Sequence, residues 1–432
     1  MTELQSMARY EAYKDSGVEW LGELPQHWDV KRIKYLFSEV NERSSDGGEE
    51  LLSVSQYTGV TRKSEKVGDS ELLTTAESLE GYKKVYVGDL VSNIMLAWNG
   101  SLGFSNYNGI VSPAYSVYRK KVEGNEKYFH YLYRTDAYKA EYKRKSTGVI
   151  ESRLRLYTDD FFDVWSILPN TNEQTAIANY LDQKTAQIDQ AIAIKEKQIA
   201  LLKERKQILI QNALTRGLNP DTPMRDSGVE WLGEIPKHWK IKRLKYVLDE
   251  RNERSKTGEE PLFMVSQVHG LVVRSEYHDK AEVAQSNVDN KIVYQNDLVF
   301  NKLKAHLGVF FKSNIEFEGL VSPDYAVYRP KAYIQDLKYL EHLFRHPTYI
   351  AQFIIRATGI VEGLIRLYTG DLFDIFIPVP PKKEQSDILK HIEFQSVKLD
   401  KAIELQQQQI EKLKEYKTTL INSAVTGKIK VT

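Results

Sequence analysis

Residues 173–217 read EQTAIANYLDQKTAQIDQAIAIKEKQIALLKERKQILIQNALTRG, and residues 384–427 read EQSDILKHIEFQSVKLDKAIELQQQQIEKLKEYKTTLINSAVTG. Steps of four and three run through the first as Leu181, Thr185, Ile188, Ile192, Lys195, Ile199, Leu202, Lys206 and Leu209. The same steps give Ile392, Ser396, Leu399, Ile403, Gln406, Ile410, Leu413, Lys417 and Leu420 in the second. This is the spacing of a coiled-coil seam, sustained for about four heptads. Neither stretch has an internal Gly or Pro, and Glu, Lys, Gln, Ala and Leu dominate both, so helix propensity agrees with the pattern. Lys195 and Gln406 fall at the same step of the two seams. A polar seam residue costs stability and fixes register or orientation. Two matched seams in one chain predict helices that pair with each other; the alternative is that each packs on another protein. Asn172-Glu173 marks the start of the first helix, and Gly217 and Gly427 mark the ends, where left-handed backbone is favoured.

Working outward, the helices close a repeat that spans the chain. Asp15-Ser16-Gly17-Val18-Glu19-Trp20-Leu21-Gly22-Glu23 recurs at 226–234, an offset of 211. Pro25, His27 and Trp28 recur as Pro236, His238 and Trp239, and Val54-Ser55-Gln56 as Val265-Ser266-Gln267. Gly88-Asp89-Leu90-Val91 is echoed by Asn296-Asp297-Leu298-Val299, and Val111-Ser112-Pro113 by Val321-Ser322-Pro323. Thr147-Gly148 and Arg155-Leu156-Tyr157 return as Thr358-Gly359 and Arg366-Leu367-Tyr368. Residues 57–87 and 268–295 show little likeness. A frame is repeated while its loops are individual, as expected of two modules doing one job on different targets. Within each module, Leu90–Met95, Tyr115–Tyr118, Asp297–Asn301 and Tyr325–Tyr328 read as strands, and Lys127–Lys143 and Leu337–Arg356 as helical. Leu168-Pro169 and Pro378–Pro381 halt the globular parts before each long helix, and Asn219–Pro223 links the halves.

Composition narrows the function. The chain of 432 residues carries 60 Lys and Arg against 59 Asp and Glu, so any nucleic-acid surface is local. The absence of cysteine excludes disulfides and thiolate metal sites and suits a reducing cytoplasm. No apolar run reads as a signal peptide or a membrane span, so a cytoplasmic protein is expected.

With these motifs assembled, the sequence resembles the type I restriction–modification specificity subunits. The resemblance covers the whole chain. It rests on D-S-G-V-E-W-L-G-E-x-P-x-H-W opening each half and on the Glu-Gln motif entering each long helix. It rests also on Leu181-Asp182, Ile188-Asp189, Ala213-Leu214-Thr215 and Ala424-Val425-Thr426. Asn170-Thr171-Asn172 departs from the Pro-rich approach seen at 378–381, which implies a local change of loop shape. The resemblance implies an α+β fold: two tandem mixed α/β target-recognition domains separated by a pair of long antiparallel coiled-coil helices, with a pseudo-two-fold axis. The expected limits are 1–168 and 218–377 for the recognition domains, and 169–217 and 378–432 for the spacer helices. It further implies that each domain reads half of a split DNA site, that the helices set the gap, and that they dock two modification subunits. Motor-nuclease (restriction) subunits then join.

DNA contact needs local positive charge and groups aimed at base edges. The stretch Lys139–Tyr157 supplies Lys143, Arg144, Lys145, Ser146, Thr147, Arg153 and Arg155; Arg356, Thr358 and Arg366 match three of them in the second half, where Leu364 replaces Arg153. The plain alternative is an ordinary turn beside a solvated basic helix. Lys302 and Lys304 have no lysine counterpart in the first half, and a strand edge blunted by lysine explains them equally well. Gln56 and Gln267 follow matching strands and suit adenine edges, or a buried or capping role. Trp20, Trp28, Trp231 and Trp239 are assigned to packing. No methyltransferase, phosphate-loop or HExxH motif occurs, and His342 and His346 have no evident third metal ligand. The chain is therefore expected to bind no cofactor and to be no enzyme. The resemblance leaves S-adenosylmethionine, ATP and Mg to partner subunits. The rival reading is a helical scaffold or adaptor that binds only proteins.

Overall fold

The computed structural model describes residues 7–65, 78–150, 153–266, 269–277, 286–359 and 366–431. Its contacts divide the chain into two compact units, Met1–Glu196 with Gln407–Thr432, and Lys197–Gln406. The long helices run Thr171–Arg216 and Lys382–Val425, so each unit holds one globular module and a stretch of both helices.

In the first unit a four-stranded antiparallel sheet takes the order Phe37–Val40, Tyr115–Lys120, Leu90–Asn93, Leu102–Phe104. Side chains alternate between its faces. Leu90 and Tyr118 enter the main core with Trp28, Tyr133 and Leu181, while their neighbours Val91 and Val117 join a smaller cluster with Leu52, Val60 and Val111. Both faces are thus buried, as the apolar runs Leu90–Val91 and Ser116–Tyr118 require. Asp29–Arg32 pairs antiparallel with Trp165–Leu168. That pairing returns the chain to the module's start just before the long helix.

The second unit repeats this plan. Its sheet runs Leu248–Glu250, Tyr325–Pro330, Leu298–Asn301, Phe310–Lys312. Leu298 and Tyr328 face one core, Val299 and Val327 the other. Lys240–Arg243 pairs with Phe376–Val379 to close the module.

The helical patches of each module are broken in two. Glu126–Leu132 and Asp136–Lys145 are separated by a turn at Thr135, and Lys338–Leu343 and Pro347–Arg356 by the Phe344–His346 turn. Pro347 occupies the first helical turn, where its missing N–H is harmless. His342 and His346 therefore lie on different elements, and the His346 ring accepts the Thr348 N–H at 3.2 Å. No group of three or more metal-type ligands occurs among the described residues.

The seam read from the sequence is the buried stripe of both helices: every one of its positions is buried or half-buried. In the first unit Asp189 meets Lys417 at 2.7 Å, and Lys195 reaches Gln409 about two turns further along. As one helix advances the other recedes, so the segments are antiparallel. In the second unit Lys206 meets Asp400 at 2.7 Å, and the hydroxyl of buried Tyr339 links the end of one helix to the approach of the other through Leu214 O and Pro378 O. The helices do pair within the chain. The first begins at Thr171, and Asn170 rather than Asn172 is its cap: the Asn170 side chain accepts the Glu173 N–H at 2.9 Å. Asn170 thereby does the work of starting the helix that prolines do at 378–381.

Candidate nucleic-acid interface

The repeated motifs build the frame on which the candidate side chains stand. Asp15 accepts the Gly17 N–H at 2.9 Å, and Asp226 accepts the Gly228 N–H at the same distance, so D-S-G is a side-chain-closed turn of a hairpin. Trp20 packs edge-on against Tyr138 at 4.9 Å and Trp231 against Tyr349 at 5.2 Å; Trp28 and Trp239 are buried. All four tryptophans pack, as expected. The Pro-x-His-Trp and Glu-Gln motifs, far apart in sequence, meet. Glu173 accepts the Trp28 indole N–H at 3.1 Å and contacts His27 at 3.0 Å. Gln174 donates to Pro169 O and accepts the Asn125 N–H, and Gln385 donates to Pro380 O and accepts the Gln335 N–H. This clasp fastens each module to the first turn of its helix. Sequence reasoning recognised both motifs and missed that they are one joint.

On that frame the loop after Asp136–Lys145 is held at its base by paired backbone bonds between Thr147 and Arg155, both 2.9 Å. Thr358 and Arg366 pair in the same way. Gly148 sits at φ +147°, and a Cβ there would lie 2.6 Å from Arg153 O, so the Thr-Gly step is a steric requirement. Residues 151–152 and 360–365, including Leu364, lie outside the described residues.

The structure sorts the cations of this loop. Lys143 is exposed, its ammonium 5.7 Å from the Trp98 ring centre. Arg144 is clasped by buried Glu141 at 2.7 and 2.8 Å. Lys145 reaches Asp163 at 3.4 Å, and the Ser146 hydroxyl donates to Tyr142 O at 2.7 Å. Thr147 and Arg153 are exposed, and half-buried Arg155 donates to Leu154 O. In the second unit Arg356 folds back on Gln352, Thr358 is exposed, and Arg366 pairs with Asp324 at 3.2 Å. Where the first unit has Lys143 and Arg144, the second exposes Ile354 and Ile355.

A second segment lies beside each loop. The Leu156 N–H bonds Ile94 O at 2.9 Å, and the Leu367 N–H bonds Lys302 O at 3.1 Å. Lys302 and Lys304 thus follow their strand in a 3-10 turn, Lys302–Leu307, next to Arg366. Lys302 is half-buried, and burial together with Lys291 pushes its ammonium below the usual lysine range, whereas Lys304 is exposed.

Gln56 stands elsewhere, exposed on the turn between Leu52–Ser55 and Gly59–Arg62. Arg134 grips its carbonyl, and its side chain rims a cleft of about 360 Å³ with Tyr57, His130, Lys417 and Asp189. His130 packs on Gly59 and Gly103, and burial pushes its ring down to about 3, so it is neutral. Gln267, its counterpart, lies outside the described residues. Tyr57 beside Gln56 is 82% exposed, and Tyr157 and Tyr368 are about half exposed at matching positions. Such rings suit stacking on bases. The Arg-Leu-Tyr repeat was the signal for the latter two.

Comparison with known proteins agrees with this architecture. Residues 25–204 match the type I restriction modification DNA specificity domain. The chain is 22% identical over 433 residues to the type I restriction enzyme MjaVIII specificity subunit of Methanocaldococcus jannaschii, covering 94% of each. Its fold is similar to a chain solved in a study of complex assembly and conformational transition of a type I restriction–modification system (TM-score 0.65, 14% identity, 93% of this chain and 98% of that one). It is also similar to the HsdS subunit of Thermoanaerobacter tengcongensis (TM-score 0.54, 15% identity, 94% and 98%).

Proposed function

We propose that this chain, whose sequence and fold are those of the type I restriction–modification specificity subunits, tells a modification and restriction complex where on DNA to act. Each module reads one half of a bipartite site in double-stranded DNA. The long helices set the unread gap and present their Glu-, Lys- and Gln-rich outer faces to two modification subunits. Those partners bring S-adenosylmethionine and methylate adenine, which leaves the base stack to be reached. Restriction subunits bring ATP and Mg chemistry. The chain itself supplies selection and no catalysis, and works in the cytoplasm.

One observation carries this reading: the same frame, clasp and loop base occur twice, while the side chains held by the frame differ, as Lys143-Arg144 against Ile354-Ile355. Two copies of one reader with different surfaces read two different sequences. Methylome sequencing of the host with and without the gene tests it. One split adenine-methylated motif is expected to vanish on deletion; an unchanged set of motifs refutes the proposal.

A further inference from the structure

The loop braced by Thr147 and Arg155 does not end in a polar turn. Val149 is 99% exposed and Ile150 53% exposed at its tip. Turns favour Gly, Asn, Asp and Ser, and β-branched aliphatics are poorly suited to them. The loop is held: the Arg153 N–H bonds Ile150 O at 2.8 Å, and Leu154 and Leu156 on the returning segment are buried. The two side chains are therefore presented to solvent by a fixed base. The sequence places an aliphatic pair at the matching point of the second half, Ile360-Val361, although the residues two and three further on differ, Ser152-Arg153 against Gly363-Leu364. Residues 143–155 of the first module carry Lys143, Arg144, Lys145, Arg153 and Arg155 against one carboxylate, Glu151, which adjoins Ile150; Arg144 and Lys145 are paired with Glu141 and Asp163. An exposed apolar point on a segment of net positive charge fits a nucleic-acid groove better than an apolar protein face.

We infer that Val149 and Ile150 contact the apolar surface of a base, while cations of the same segment hold phosphates. This rests on the DNA-reading function proposed above and gives that reading an apolar element. Two surfaces of DNA offer the chemistry: the thymine methyl in the major groove and a base face exposed where a step is opened by an aliphatic wedge.

The test uses the full chain copurified with its modification subunits. The probes are a duplex carrying the methylome-defined site and an unrelated duplex of equal length. Val149→Ser with Ile150→Ser is expected to weaken specific binding about tenfold, leaving binding to the unrelated duplex and its salt dependence unchanged. Val149→Leu with Ile150→Leu restores most of the affinity. In the parent protein, uracil replacing one thymine of the first half-site reproduces the loss, if a methyl is read. Otherwise 2-aminopurine beside the opened step brightens on binding, and fails to do so with the serine variant. Undiminished specific affinity, equal loss on both duplexes, or no response of either base probe overturns the inference. So does loss of the modification subunits on purification, which assigns the tip to a protein interface. A parent complex with no preference for its site refutes the functional reading itself.

Discussion

Lys143→Ile gives the first module the residue that the second carries at the same point, Ile354. Lys143 is exposed on its helix. Its ammonium stands over Trp98, whereas Arg144 is bound by both oxygens of Glu141, so removing Arg144 would also strand a buried carboxylate. A lysine that neutralises one phosphate contributes about 0.9 to the slope of log affinity against log salt. Carried from 1 M to about 0.15 M salt, that slope amounts to roughly a fivefold loss of affinity. The loss is expected to be the same on specific and unrelated DNA, because a phosphate contact carries no sequence information. The lost cation–π contact is worth only about 0.5–1 kcal/mol, too little to unfold the module. Fluorescence anisotropy of the complex with labelled duplex, at salt from about 0.05 to 0.3 M, reads both quantities. An unchanged slope would show that Lys143 meets no phosphate. A loss confined to one base-pair identity would show that it reads a base edge instead.

Glu173→Ala is expected to cost about 1–3 kcal/mol by orphaning the Trp28 N–H. Glu384→Ala should cost less, about 0–1 kcal/mol, since Glu384 is tied only to His238 and the Trp239 N–H has no partner among the described residues; urea unfolding of both variants ranks them, and equal costs contradict the clasp. Gly427→Ala is expected to destabilise more than Gly22→Ala: both are left-handed, with φ +72° and +67°, but a Cβ at 427 strikes Pro25 and one at 22 meets nothing within 4 Å. Thermal melting reads that difference. His130 titrates near 3 in the folded chain against 6.5 ordinarily; the unfolded chain binds the proton more tightly, so this ring removes stability as pH falls from about 6.5 towards 3. His130→Gln should flatten that part of the stability curve, and an NMR midpoint near 6.5 would contradict it. Seven residues added to both helices, a whole heptad, are expected to lengthen the gap between half-sites by about 3 base pairs and leave the bases read unaltered.

Long-period features were legible in the sequence. The seam spacing fixed which face of each helix is buried, because a 3.5-residue repeat leaves one choice. The duplication fixed the plan, even where chemistry changed: Asn296, at φ +66°, takes the left-handed place of Gly88, at φ +89°. What was not legible depends on contacts between distant residues. Nothing local tells that Glu173 is the acceptor for Trp28, or that Glu141 neutralises Arg144. The break at Thr135 was missed because Lys127–Lys143 has no Gly or Pro, whereas the matching break is announced by Pro347. Charge counting also does not show that Lys302 is half-buried, or that burial and Lys291 hold its ammonium below the usual lysine range.

The division between what the halves share and what they vary has a physical logic. Shared residues are those whose replacement leaves a buried group unmet or a backbone strained: Gln174 and Gln385, Trp28 and Trp239, Gly148 with its required φ. Varied residues, such as Lys143 and Ile354, are exposed, where substitution changes stability little and the surface a great deal. A reader built this way can change its target without re-solving its fold. The clasp contributes to this, since it fastens each module to the first turn of its helix whatever side chains the loop carries. If so, exchanging residues 143 and 354 between the halves should leave both modules folded and alter only their grip on DNA; a variant that unfolds would show that the surface and the frame are not separable.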